Sequence, residues 1–188
     1  MKWMIASDLH GAAPCVEQLL QHFAEEKADK LLLLGDLLYH GARNALPEQY
    51  GTLAVAELLN SVRDRLLCVR GNCDSEVDQM VLEFPIMAEY AILTEAGKTI
   101  FATHGHRYNS ACPPPLGGID VLLHGHTHVP ACIAHEDHVY WNPGSVGIPK
   151  GGSENSYMTL ENGVAEWKTL DGKTYCAYSL AEGKQLEF

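Results

Sequence analysis

Residues 31–34 are four consecutive leucines, followed at once by Gly35 and Asp36. A strand that alternates apolar and polar residues can leave one face in water, but a run without alternation must be covered on both. Strands of that kind lie inside open α/β sheets. Gly35 permits a sharp turn, so Asp36 is expected just beyond the carboxyl end of the strand. In open α/β sheets that edge is where ligands bind. An ionised aspartate beside a leucine core needs a partner, and a metal ion is a common strong one.

The stretches on either side fit the same reading. Residues 2–7 form an expected first strand ending at Asp8-Leu9-His10-Gly11, and from about residue 13 Val16, Leu19, Leu20 and Phe23 recur at helical spacing. Strand, helix and leucine strand make a βαβ unit, whose right-handed crossover sets the two strands side by side and parallel. Their carboxyl ends then share an edge, which brings Asp8, His10 and Asp36 together. Residues 37–52 form a long loop carrying Tyr39, His40, Arg43, Asn44 and Pro47, and loops of this length in compact domains are usually functional. A second helix presents Val55, Leu58, Leu59 and Val62 on one face, and a third strand at 66–69 ends in Arg70-Gly71-Asn72-Cys73-Asp74.

Beyond about residue 81 the pattern changes to strands and turns. Residues 91–94 and 99–103 form an expected hairpin that ends at His104-Gly105-His106. After Pro113-Pro114-Pro115, a strand at 119–123 leads to His124-Gly125-His126-Thr127-His128. Short strands follow at 131–135, 139–141, 156–160, 165–169 and 174–178, with Asn162-Gly163 and Asp171-Gly172 as hairpin turns. The expected architecture is two sheets packed face to face with helices outside, in a single domain spanning residues 1–188.

A net charge of −11 excludes general nucleic-acid binding and anionic membrane surfaces, both of which need a basic face. No run approaches the ~18 apolar residues of a membrane span. The six cysteines are scattered without a C-x-x-C pair, which points to reduced thiols and a cytoplasmic location.

Five polar clusters fall where five expected strands stop: Asp8/His10, Asp36, Asn72/Asp74, His104/His106 and His126/His128. Any one of them alone could be a turn or a polar cap. Together they form an oxygen-and-nitrogen set without a thiolate pair, which suits manganese, iron, zinc or magnesium better than a structural zinc site. The donors are too many for one ion of about four to six ligands. Two ions are the economical reading, with Asp36 as the central candidate for a bridging carboxylate.

Asp8-x-His10, Gly35-Asp36, Gly71-Asn72-x-Asp74, His104-Gly105-His106 and Gly125-His126-x-His128 resemble the signature of the calcineurin-like metallophosphoesterases, over roughly residues 3–150. Asn72-Cys73-Asp74-Ser75-Glu76, His40-Gly41-x-Arg43-Asn44 and Asn142-Pro143-Gly144-Ser145 resemble the small bacterial phosphodiesterases of the YfcE type in particular. The resemblance implies a four-layer α/β/β/α fold. It implies one divalent ion held by Asp8, His10, Asp36 and His128, and a second held by Asp36, Asn72, His104 and His126. Manganese leads the expected metals, with zinc, iron and nickel as alternatives. The implied activity is hydrolysis of small phosphoric diesters by a hydroxide bridging the metals.

Cys73 departs from larger relatives, which usually carry a histidine there as proton donor to the leaving oxygen. A thiol is a poorer acid, so diesters with low-pKa leaving groups are the expected substrates and monoesters poor ones. A small residue tolerated beside a metal is the other reading of Cys73. Asp74 either takes part in catalysis or holds its turn, and His106 either contacts phosphate or supports a ligand. Arg43 and Asn44 either reach substrate or form a solvated loop tip. His124 is expected to pack rather than ligate. The rival functions are a phosphomonoesterase or nucleotide phosphohydrolase on the same site, and a scaffold of the Vps29 kind. Small relatives often form dimers, and nothing in this sequence declares an oligomeric state.

Overall fold

Period-two geometry explains how the leucine run is covered from both sides. In the computed structural model, which describes residues 1–186, the chain opens with β1 (Trp3–Ala6), α1 (Ala13–Glu25), β2 (Lys30–Leu33), α2 (Thr52–Asn60) and β3 (Leu66–Cys68). β2 runs parallel to β1 on one side and to β3 on the other. Met4, Ala6, Leu31 and Leu33 point to the helices, where they meet Val16, Leu19 and Phe23 of α1 and Val55 and Leu59 of α2. Ile5, Leu32 and Leu34 point the other way, into a separate core. Burying each leucine on either face contributes roughly 1.5–3 kcal/mol. Pro14 fits the first turn of α1, where its missing N–H is no loss.

The rest of the chain runs through a single turn of helix, α3 (Glu76–Gln79), and then β4 (Tyr90–Glu95), β5 (Lys98–Thr103), β6 (Val121–His124), β7 (Ala131–Ala134), β8 (Val139–Asn142), β9 (Ser156–Glu161), β10 (Val164–Thr169), β11 (Thr174–Ser179) and β12 (Lys184–Leu186). The strands form two mixed sheets, ordered β12-β11-β10-β9-β1-β2-β3 and β4-β5-β6-β8-β7. Their facing sides enclose the second core: Ile5, Leu32, Met158 and Trp167 from the first sheet meet Ile100, Ala102, Leu123 and Trp141 from the second. The indole rings of Trp141 and Trp167 meet edge to face, 5.6 Å between centroids.

Helices α1 and α2 cover the outer face of the first sheet. Over the second sheet the cover is the non-helical segment 105–120, whose three consecutive prolines cannot supply helical N–H donors. There Tyr108 meets Phe101 edge-on. β5, β6 and β8 are mutually parallel, so their carboxyl ends lie at one edge. α3 and β12 have no counterpart in the sequence-based expectations.

Candidate metal centre

Five strand ends meet in one place, and their backbone is unusual. Asp8, His10, Asp36, His126 and His128 all have positive φ, between 48° and 66°. That conformation is uncommon for residues other than glycine and costs on the order of 1 kcal/mol or more each. It persists because neighbouring groups hold it. Asp8 N–H donates to Gly35 O at 3.1 Å, and His10 N–H to Asp36 O at 3.0 Å. His126 N–H donates to Asp8 Oδ2 at 2.9 Å. Gly71 has no room for a side chain, since a Cβ there would run into the Asp36 backbone nitrogen and carboxylate.

The histidines are oriented by main-chain carbonyls. Nδ1 of His10 faces Tyr39 O at 2.7 Å, Nδ1 of His104 faces Leu34 O at 2.7 Å, and Nδ1 of His128 faces Ile148 O at 2.5 Å. Each Nδ1 must therefore carry the hydrogen, which leaves the Nε2 lone pair of the neutral ring pointing inward. Nε2 of His10 and of His128 stand 3.3 Å apart. Asp8 Oδ1 is 3.4 Å from one and 3.7 Å from the other, and is buried without a hydrogen-bond partner among the described residues. Asp36 Oδ2 lies 3.6 Å from His10 Nε2 and 3.5 Å from His104 Nε2, so it stands between two halves of the cluster. In the second half, His104 Nε2 is 3.1 Å from His126 Nδ1 and 3.0 Å from Asn72 Oδ1.

Electron pairs that converge at such distances repel unless a proton or a cation lies among them, and the donor set fits divalent cations. Asp8, His10 and His128 form one compact donor group, and Asp8, Asp36 and His104 another. The electrostatics show the same demand for positive charge among these donors, met here by the His104 ring. Burial pushes the Asp36 carboxyl up, but the hydrogen bond and charge of His104 outweigh it and hold the carboxyl well below the usual range. Burial lowers His104 while its bond to Asp36 and the Asp8 charge raise it, to a net value of about 9.

The remaining candidates fall into different settings. Cys73 sits beside the cluster: its N–H donates to Asp36 Oδ1 at 2.8 Å and its Sγ receives Asn72 Nδ2 at 3.2 Å. Burial and the Asp36 charge push its thiol up to about 12, so it is a thiol and not a thiolate near neutral pH. Asp74 is turned away from the donor set. Its two oxygens accept the backbone N–H groups of Asp36 (2.9 Å), Leu37 (2.9 Å) and Gly71 (2.7 Å). His106 is exposed, with its ring 5.4 Å from that of His104, and burial with the nearby His104 charge holds it down to about 4. Arg43 and Asn44 line the pocket over the cluster, and Asn44 Nδ2 also ties back to His40 O at 2.8 Å. His124 stacks on Tyr140 at 4.3 Å, within the strand layer as expected.

The Asn142–Ser145 motif lies against the cluster, and one further residue, Lys150, escaped the sequence reading. Asn142 Nδ2 donates to Gly125 O, Thr127 Oγ1 and Tyr140 Oη, bracing the turn that carries His126 and His128. Ser145 Oγ donates to Asp8 O at 2.8 Å. Lys150 lines the pocket, and its only signal was a cation before Gly151-Gly152.

The sequence pattern of the calcineurin-like phosphoesterase superfamily domain matches residues 1–163. The chain belongs to that superfamily. Metallophosphoesterases of this family use a dinuclear metal site, and the cluster supplies candidate ligand groups for one. The phosphodiesterase YfcE of Escherichia coli K12 is 47% identical over 177 residues, covering 94% of this chain and 96% of that protein. The solved structure of the E. coli phosphoesterase YfcE superposes with a TM-score of 0.91 at 45% identity, over 96% of this chain and all of that one. The probable metallophosphoesterase YsnB of Bacillus subtilis is 27% identical over 91% of each chain. Vps29 of Chaetomium thermophilum, at 16% identity and a TM-score of 0.61 over 95% of this chain and 98% of its own, shares the phosphoesterase fold alone. Among the described residues no helix is long and apolar enough to cross a membrane.

Proposed function

We propose that this protein is a metal-dependent phosphodiesterase acting on small phosphoric diesters. The observation that carries the reading is the convergence of inward-facing Nε2 lone pairs on a buried, unpartnered Asp8 oxygen. The resemblance to the E. coli phosphodiesterase supports the choice of diester. Asp8, His10, Asp36 and His128 would hold one ion, and Asp36, Asn72, His104 and His126 the other, with manganese favoured over zinc, iron and nickel. Bound ions of this kind supply Lewis acidity, which eases deprotonation of water and offsets phosphate charge.

The chain's own residues do the rest. Asp74 fixes the backbone of Asp36 and Gly71 and thereby aims the shared carboxylate, so its contribution is positional. His106, neutral near pH 7, offers its one ring N–H beside His104 and His126 to a phosphate oxygen. Arg43 and Asn44 line the pocket from the 37–52 loop, where they contact the substrate. Hydrolysis breaks one P–O bond, and the departing oxygen needs a proton. Cys73 stands nearest among candidate donors, yet a thiol at about 12 releases its proton reluctantly. Leaving groups that depart as stable anions are therefore favoured. A pocket of about 290 Å³ admits a small ester. Six free cysteines support a reducing, cytoplasmic setting.

The test is a manganese-reconstituted assay of bis(p-nitrophenyl) phosphate against p-nitrophenyl phosphate. The diester is expected to have the higher kcat/KM, as the resemblance to the E. coli phosphodiesterase implies, and alkyl diesters, whose leaving oxygen needs general acid help worth ~10²–10⁴, should be slower. Cys73→His should then raise the rates on monoesters and alkyl diesters. If neither rises at unchanged metal content, the proton-donor argument fails. Fewer than about one ion per chain together with no diester hydrolysis would instead indicate a scaffold with a vestigial site.

A further inference from the structure

The pocket holds two cations that the rest of the molecule leaves uncompensated. In a chain with 24 acidic residues, Lys2, Lys98, Lys168, Lys184, Arg63 and Arg107 each have a carboxylate within 4.0 Å. Lys27, Lys30, Arg43, Arg65, Arg70, Lys150 and Lys173 have none among the described residues, and of these seven Arg43 and Lys150 line the pocket above Asp36, Asn72, His126 and His128. The Lys150 backbone is nonetheless well held. Lys150 N–H donates to His128 O at 3.1 Å, and Lys150 O accepts Ser153 N–H at 3.1 Å and Ser153 Oγ at 2.7 Å. Next to Arg43, Asn44 N–H closes on Gly41 O at 3.1 Å. Charged side chains on fixed backbone, facing a concave site without a carboxylate partner, are a ready anion site.

We propose that Lys150 and Arg43 form an anion subsite at the rim of the metal pocket, which binds a second acidic group on the substrate. The substrate class is then a small phosphoric diester whose retained half carries an additional phosphate. The scissile phosphate has its own partners in the metal-ligand cluster, Asn72 and His106, so two further cations exceed what a singly charged diester needs. The pocket volume of about 290 Å³ accommodates one phosphate and a compact organic group beyond it. Tyr39, 43% exposed and lining the same pocket, offers an aromatic face to that group. A rim of positive charge also counters the repulsion that a chain of net charge −11 exerts on a dianionic ligand. This assignment rests on the phosphodiesterase reading above.

The experiment compares the p-nitrophenyl ester of thymidine 5′-phosphate with its 3′-phosphorylated counterpart, using the manganese-loaded full-length protein. The wild type is expected to prefer the 3′-phosphorylated ester in kcat/KM. Lys150→Met and Arg43→Met should each lower that preference ratio about tenfold, chiefly through KM, and Lys150→Arg should restore it. A ratio unchanged in Lys150→Met, or no preference in the wild type, would overturn the subsite. Calorimetric binding of thymidine 3′,5′-bisphosphate and of thymidine 5′-phosphate gives the same ratio without turnover. If neither ester is hydrolysed, the diesterase reading fails, while the ratio of the two dissociation constants still decides the subsite.

Discussion

Asp36 and Asp74 are both buried carboxylates at strand ends, and their surroundings give them opposite tasks. Asp36 presents Oδ2 to histidine nitrogens in both halves of the cluster, while its Oδ1 accepts Cys73 N–H. Asp36→Asn keeps an acceptor for that backbone bond but loses the shared negative charge. It should fold and lose both ions, whereas Asp8→Asn should chiefly lose one; elemental analysis after manganese reconstitution distinguishes them. Asp74 faces three backbone N–H donors and no imidazole. Asp74→Ala would strand those buried donors at ~1–3 kcal/mol each, so a loss of roughly 3 kcal/mol or more in urea unfolding is expected. Asp74→Asn, which retains one carbonyl oxygen, should recover part of it. Equal stability of Asp74→Ala and wild type would remove the positioning role.

At the scale of the element, the strand-end turns are built around close approach of backbones. A Cβ on Gly125 would collide with Ser7 Oγ and come within 2.6 Å of Asp8 Oδ2. Gly125→Ala therefore has to displace the segment that donates His126 N–H to Asp8. An overpacking penalty of about 1–3 kcal/mol is expected in thermal unfolding, with manganese affinity weakened as well. Normal metal titration in a destabilised variant would show that the turn serves folding alone. Two elements illustrate what sequence patterning does and does not expose. Ser75-x-x-Asp78 has capping-box spacing, and the box does form around α3. The apolar residues that follow, Met80-Val81-Leu82 and Phe84, run straight into Pro85, so the window is too short for helical periodicity to register. β12 is Lys-Gln-Leu at a sheet edge, where neither face is buried and alternation carries no signal.

For the whole molecule, one charge cluster ties remote parts of the chain. Glu26, just after α1, pairs with Lys2 at 2.6 Å near β1 and with Lys168 of β10 at 2.5 Å. Burial raises the Glu26 carboxyl, but hydrogen bonds and charge from Lys168 and Lys2 outweigh it and lower it below its ordinary value. A carboxyl lowered in the folded state stabilises above its unfolded pKa, and the contribution fades as pH falls through the folded value. Glu26→Gln is expected to cost on the order of 1–2 kcal/mol at neutral pH, and the difference from wild type should shrink toward zero in acid. A pH-independent difference in denaturant midpoint would mean that packing, not charge, carries the effect.

The order of strands and helices, the two-faced burial of β2 and the identity of the polar clusters all followed from the sequence, because periodicity and strand-end chemistry are local. The clusters could be listed but not oriented. Which nitrogen of each histidine points inward depends on carbonyls of Tyr39, Leu34 and Ile148, which lie 29, 70 and 20 residues from their histidines in sequence. That the Asp74 oxygens face the Asp36, Leu37 and Gly71 backbone was likewise decided by the tertiary structure. Lys150 was invisible as a site residue for the same reason. A lone lysine carries no periodic signal, and only the packing of the 150–153 turn on His128 sets it over the pocket without a carboxylate partner.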